Sequence, residues 1–215
     1  MMKKKHIFIT IEGGEGSGKT TQSLFLRKFF EQKNYEVLLT REPGGIVLAE
    51  AIRHILLNPG LHLVPLSELF LYEAARAQHM EELVIPSLKS GKVVICDRFT
   101  DATVAYQGYG RKLSVELINK LNFAASFGIS PTLTIYLDIA PFKGLTKAKK
   151  LNKELYGADG DRIERESIRF HNNVRKGYLS QAKKYPERIK VVKTQKTPEE
   201  TQDLIREIIG TVLYV

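Results

Sequence analysis

The chain has 215 residues, 43% of them hydrophobic, with 33 basic against 24 acidic side chains and a single cysteine. That length suits one domain with a real core, and no apolar run approaches the roughly 20 residues of a membrane-spanning helix. One cysteine excludes an internal disulfide and a cysteine metal cluster, while the net charge of +9 permits a polyanionic partner without requiring one. No helix-turn-helix, zinc-finger or RNA-binding signature accompanies the charge, so neither nucleic acid nor membrane is the expected partner. The lone thiol fits a cytoplasmic protein.

In chain order, MMKKKHIFITIEGG reads as an exposed basic start leading into a strand over 6–12, its apolar run too short for a secretory leader. Further strands are expected at 36–40, 92–97, 132–138 and 189–193, nearly continuously apolar as in strands covered on both faces. Helical patterns fill the gaps. One spans 18–33, and one spans 47–58, stopping at Asn58-Pro59-Gly60. A long one covers 66–91, where Pro86 is expected to bend or split it. Another runs from the serine cap at 114 to Gly128. The last two span 161–185 and 197–213, the latter opening on Thr197, Pro198 and acids. The least regular stretch is 141–160, rich in lysine. Strands alternating with helices predict an α/β protein: a five-stranded parallel sheet in three layers, helices on both faces.

Gly13-x-x-x-x-Gly18-Lys19-Thr20 matches a phosphate-binding loop. It follows a strand and opens a helix, the context that the pattern requires. Gly13, Gly14, Glu15, Gly16, Ser17 and Gly18 would offer successive backbone N–H groups to a triphosphate, with the helix start adding its positive end. Lys19 would reach the β/γ-phosphates, and the Thr20 hydroxyl would ligate Mg²⁺. The second metal-side residue is expected to be Asp97, at the C-terminal end of VVICD and followed by Arg98. Asp138, ending TIYLD, is its rival but has no such neighbour.

Several stretches then occur in order: EGGEGSGKTTQ, TREPGG (40–45), LFLYEAARAQ (69–78), CDRFTDATVAYQGYGR (96–111) and DRIERE (161–166). With these, nearly the whole chain resembles the thymidylate kinases. The resemblance implies the P-loop NTPase fold, a single kinase domain over 1–215 with a mobile lid over 142–160, and a homodimer. It implies transfer of a phosphoryl group from ATP to dTMP with Mg²⁺, in dTTP synthesis. Tyr72 and Arg76, four apart on one helix face, match the positions that stack thymine and bond its O4. Thr103 and Gln107 match those that address the base near N3, and Tyr106 the one that packs under the sugar. Glu15 would meet the 3′-hydroxyl. Arg98, with Arg41 and Arg53, would grip the acceptor phosphate.

The resemblance also asks for a catalytic cation. Gly16 follows Glu15 in the loop, so the lid must supply it. Between 142 and 160 the chain has lysines and no arginine, and Arg162 comes next. Lys147 and Lys150, one helical turn apart, are the leading pair, with Arg162 the alternative. The five histidines form no metal-like spacing. His6 is expected in solvent, the others on helix or loop surfaces, and Cys96 inside a strand.

Overall fold

The structure, a computed structural model, describes residues 6–156 and 160–213. The expected basic start at 1–5 and residues 157–159 of the expected lid lie outside them. Five strands, β1 (Phe8–Gly13), β2 (Val37–Arg41), β3 (Val93–Asp97), β4 (Leu133–Asp138) and β5 (Ile189–Lys193), form one parallel sheet in the order β2-β3-β1-β4-β5. The three-layer α/β expectation holds, and the five strands fall within a residue or two of their predicted bounds.

Alternation along the strands divides the core. Ile9, Ile11, Val93, Ile95, Leu133, Ile135 and Leu137 face α1 (Lys19–Gln32) and α9 (Pro198–Leu213), packing with Leu26, Phe30, Ile205 and Ile209. On the other face Phe8, Val94 and Cys96 meet Met80, Val84, Leu88 and Phe99. That face is also partly polar: Thr10 and Thr134 share a 2.7 Å hydrogen bond, and Thr134 donates to Asp101, which Arg188 grips through both nitrogens. Buried polar groups survive there because each finds a partner.

Between these layers, α2 (Val47–Leu57) packs on α3 (Pro65–His79), and α6 (Val115–Ala125) starts where the Ser114 hydroxyl accepts the Leu117 N–H. The chain stays helical from Pro65 to Lys89, but widens to a π turn over Met80–Val84 before α4 (Ile85–Lys89). Pro86 lacks an N–H, and its ring would crowd the carbonyl four residues back, at Glu82; the wider turn absorbs both. A short α5 (Thr100–Thr103) likewise runs into a π segment, Val104–Gly110.

Two expectations need correction. The stretch from 141 is regular: α7 covers Pro141–Tyr156, opening on a proline and rich in the strong helix formers lysine, leucine and alanine. Helix α8 begins only at Ile168, capped by the Ser167 hydroxyl. Residues 161–166 form a turn instead, because the Asp161 carboxylate captures the N–H groups of Ile163 and Glu164, both at 2.9 Å. This local bond competes with helix and wins.

Candidate active site

Parallel pairing brings the C-terminal strand ends to one edge. Ile11 and Arg41 both lie beside Asp97, and Gly13 lies beside Leu137. The central β1 has β3 on one side and β4 on the other, the switch point where open α/β sheets form a ligand crevice. The glycine loop leaves β1 here. Gly16 and Gly18 hold φ of 64° and 90°, which only glycine adopts freely, and α1 follows at once. Lys19 folds back so that its Nζ donates to the Gly14 carbonyl at 3.1 Å.

Thr20 Oγ1 donates to Asp97 Oδ2 at 3.2 Å, and Asp97 Oδ1 is buried without a partner among the described residues. Asp138, the rival, is spent: Arg175 binds both its oxygens at 2.7 and 2.9 Å, and Tyr136 donates to it. A hydroxyl and a carboxylate with an idle oxygen suit Mg²⁺, which takes few protein oxygens and keeps water and phosphate around it.

Arg98 sits just past β3 in a left-handed conformation, φ 69°. Two bonds hold this strained backbone: its own N–H to the Ile11 carbonyl, and the Phe99 N–H to Glu12 Oε1 at 2.7 Å. Its guanidinium then spans the site. It donates to the Gly13 carbonyl at 3.0 Å, pairs with Glu15 at 2.7 Å, and lies 4.9 Å from the Tyr106 ring centre. Burial alone would raise the Glu15 pKa. Arg98, Lys19 and the Tyr106 hydroxyl at 2.7 Å outweigh it and hold the pKa at about 2. The charge of this acid inside the glycine loop is thus balanced chiefly by Arg98 and Lys19.

Glu12 behaves oppositely. Burial first, then the charge of Asp101, pushes its pKa up to about 8, against the pull of Arg98, the Tyr178 hydroxyl and the Phe99 N–H. Between its ordinary 4.5 and 8, the folded chain holds a proton that the unfolded chain has lost, so stability falls as pH rises through that window. Glu12→Gln cannot titrate. Its stability relative to wild type is expected to improve from pH 5 to pH 8, by up to about 1.4 kcal/mol per pH unit. Urea unfolding of both proteins at the two pH values checks this; a constant difference contradicts it.

A cavity opens beside Arg98, lined by Glu15, Arg53, Tyr72, Arg76, Arg98, Thr103, Tyr106 and Gln107. Eight of the nine residues expected around the acceptor meet there. The ninth, Arg41, pairs with Glu50 at 2.9 Å and lines the adjoining crevice with Lys19, Thr20, Asp97 and Arg53. Arg76 is 2% exposed. Its Nε donates to Glu42, Nη1 to Glu73 and Asn122, and Nη2 to Thr103, all within 2.9 Å. A guanidinium has five N–H donors; among the described residues one, on Nη2, has no partner. Gln107 donates its amide to Glu68 at 2.9 Å, which leaves its carbonyl oxygen without a protein partner among the described residues. The cavity wall therefore includes an unpartnered Arg76 N–H and an unpartnered Gln107 carbonyl oxygen.

Other expectations fall differently. Lys147 and Lys150 are exposed on α7 and line neither the cavity nor the crevice; Lys150 lies 3.8 Å from Glu154. Helix α7 does meet the loop backbone to backbone: a Cβ on Gly16 would strike the Gly144 carbonyl, and one on Gly144 the Glu15 carbonyl. Arg162 donates to the Leu56 carbonyl at 2.8 Å and sits 2.6 Å from Glu68, a tie between the turn and α2–α3. Cys96 is buried as expected, and His6 exposed. His79 and His171, expected at the surface, are buried. His79 bonds Thr40 and Glu42, and such distant partners leave no trace in a helical pattern. Glu12, Glu42 and Asp161 stand in the quoted stretches without an expected role, and Glu68 and Asn122 lie outside all of them; all five shape the site.

A family model described as Thymidylate kinase matches residues 11–205. The thymidylate kinase of Syntrophotalea carbinolica is 49% identical over 194 residues, covering 90% of each chain. That of Synechococcus sp. strain JA-3-3Ab is 44% identical over 203 residues, covering 94% of this chain and 95% of the relative. The crystal structure of thymidylate kinase from Ehrlichia chaffeensis matches with a TM-score of 0.77 at 34% identity, over 95% of this chain and 98% of that one. Sequence and fold agree across nearly the full length, and the chain belongs to the thymidylate kinase family.

Proposed function

We propose that this protein phosphorylates dTMP to dTDP with ATP and Mg²⁺, supplying dTTP synthesis by the de novo and salvage routes. The observation that carries this reading is the donor–acceptor pair in the cavity. The spare Arg76 N–H suits the thymine O4, and the spare Gln107 carbonyl suits the N3–H. Cytosine reverses the first and lacks the second. Tyr72 lines the cavity as a stacking surface, with Thr103 beside Arg76.

The Tyr106 ring packs under the sugar, and Glu15, ionised, accepts from the 3′-hydroxyl. Arg98, Arg53 and Arg41 hold the acceptor phosphate. The loop N–H groups and Lys19 hold the ATP phosphates. Thr20 and Asp97 would hold Mg²⁺, which neutralises phosphate charge when bound. One oxygen of the dTMP phosphate forms a bond to Pγ as the bond from Pγ to the β–γ bridging oxygen breaks, and the electron pair leaves with ADP. At neutral pH the acceptor dianion carries no proton on that oxygen, so no general base is required. Positioning and charge neutralisation supply the catalysis. Lys147 and Lys150 would add charge from α7, the body of a lid that closes over ATP.

ADP release measured with dTMP, dUMP, dCMP and dGMP tests this. Turnover with dTMP is expected to exceed that with dCMP by about 10³-fold or more, since the wrong base leaves buried polar groups unpaired. Equal turnover with dCMP, or none with dTMP, would overturn the reading.

A homodimer is supported by apolar side chains exposed on three neighbouring helices: Val47, Leu48 and Ile55 on α2, Leu66 and Phe70 on α3, and Leu117 and Phe123 on α6. Such a face ordinarily meets a partner; a light-scattering mass of two chains checks it. Among the described residues no helix is long and apolar enough to cross a membrane, and we place the enzyme in the cytoplasm.

A further inference from the structure

Arg165 stands in DRIERE, three residues after Arg162, but has no role in the sequence-based expectations. It is exposed, yet it lines the crevice that holds Lys19, Thr20, Asp97, Arg41 and Arg98. Its Nε donates to the Gly160 carbonyl at 3.1 Å, and among the described residues no carboxylate pairs with it. Four of its five N–H donors therefore have no protein partner among those residues. Resting on the kinase reading above, we propose that the Arg165 guanidinium contacts the phosphoryl group in flight between ATP and the acceptor, as the cation that the glycine loop lacks.

Three features favour it over the other candidates. Arg162 lines neither the cavity nor the crevice; its Nε donates to the Leu56 carbonyl and its guanidinium pairs with buried Glu68. Lys147 and Lys150 stand on α7 away from the crevice walls, whereas the crevice already includes Arg165. A guanidinium also grips two phosphate oxygens at once, which an ammonium cannot do.

The mounting of Arg165 favours it as well. Arg165 rides on the turn pinned by Asp161, whose carbonyl accepts the Arg165 N–H at 3.1 Å. The same turn puts Asp161 and Ile163 into the wall of the base cavity. An occupied cavity would thus steady the element that carries the cation, so that charge stabilisation comes into place with the acceptor. A positively charged fork at the developing equatorial charge is the group that phosphoryl transfer uses most effectively.

The test compares Arg165→Ala and Arg165→Lys with Lys147→Ala and Lys150→Ala. For R165A, kcat is expected to fall by about 10²–10³-fold, with the dTMP KM within a few-fold of wild type and the thermal midpoint unchanged. R165K should recover only part, and millimolar guanidinium ion should raise R165A turnover. R165A should also lose affinity for ADP–aluminium fluoride with dTMP, a mimic of the transferring group, while keeping affinity for ADP alone. A merely structural role would move none of these selectively. If kcat of R165A stays within twofold of wild type, or K147A or K150A loses more, the assignment is overturned. Absence of dTMP turnover in the wild type would instead sink the kinase reading.

Discussion

Arg98→Met is expected to lower kcat/KM for dTMP by about 10²–10³-fold, most of it in kcat. Arg98 is the only described side chain that touches the phosphate loop, Glu15 and the Tyr106 ring together. On the proposed function, losing it removes an acceptor-phosphate contact; it also strips Glu15 of its main counter-charge. An uncompensated carboxylate would then face the incoming phosphates from inside their own loop, where burial is low in dielectric and repulsion is strong. The left-handed backbone is held by Ile11 and Glu12, not by the guanidinium, so the variant should fold. Arg98→Lys keeps a charge but not the fork, and should fall between. ATP binding, measured by calorimetry without dTMP, should change little. A loss below tenfold in R98M would contradict this account.

For Arg76→Met the larger effect is on stability, with an expected loss of about 3–5 kcal/mol. Arg76 lies between two buried carboxylates, Glu42 and Glu73, each at 2.8 Å. Burial disfavours its charge, but Glu42 and Glu73 more than offset that and raise its pKa. Removing it leaves both acids inside the protein without a cation, and leaves Asn122 and Thr103 without their donor. A whole domain is stable by only about 5–15 kcal/mol, so the variant would sit near its limit. Adding Glu42→Gln and Glu73→Gln to R76M should return part of the loss, because neighbours in one network are not additive. Urea unfolding of the single and triple variants measures both. A single variant within 1 kcal/mol of wild type would show the pair of acids to be solvated, contrary to their burial.

The two residues differ in how far they could be read beforehand. Arg98 follows the strand-ending Asp97, and that position alone predicted an anion site at the sheet edge. Arg76 could be put on one face with Tyr72 by helical spacing. Its use of four donors on Glu42, Glu73, Asn122 and Thr103 could not be foreseen, because those partners lie 3, 27, 34 and 46 residues away. The spare Arg76 donor and the spare Gln107 carbonyl, to which the proposed function assigns base selectivity, are remainders of that network.

By itself the sequence determined the strands, the glycine loop and the parallel topology. Each depends on local pattern: apolar runs for strands covered on both faces, glycines where φ must be positive, and helices long enough to cross over. Only the tertiary structure showed Asp138 to be paired, since Arg175, which binds it, arrives from a helix 37 residues on. It alone turned Arg162 into a tie and His79 into a buried link. It also brought Arg165 to the crevice, through a turn that the Asp161 carboxylate built where a helix was expected. Local propensity chooses elements; which charges meet, and which are left over for a ligand, depends on contacts between elements far apart in the chain.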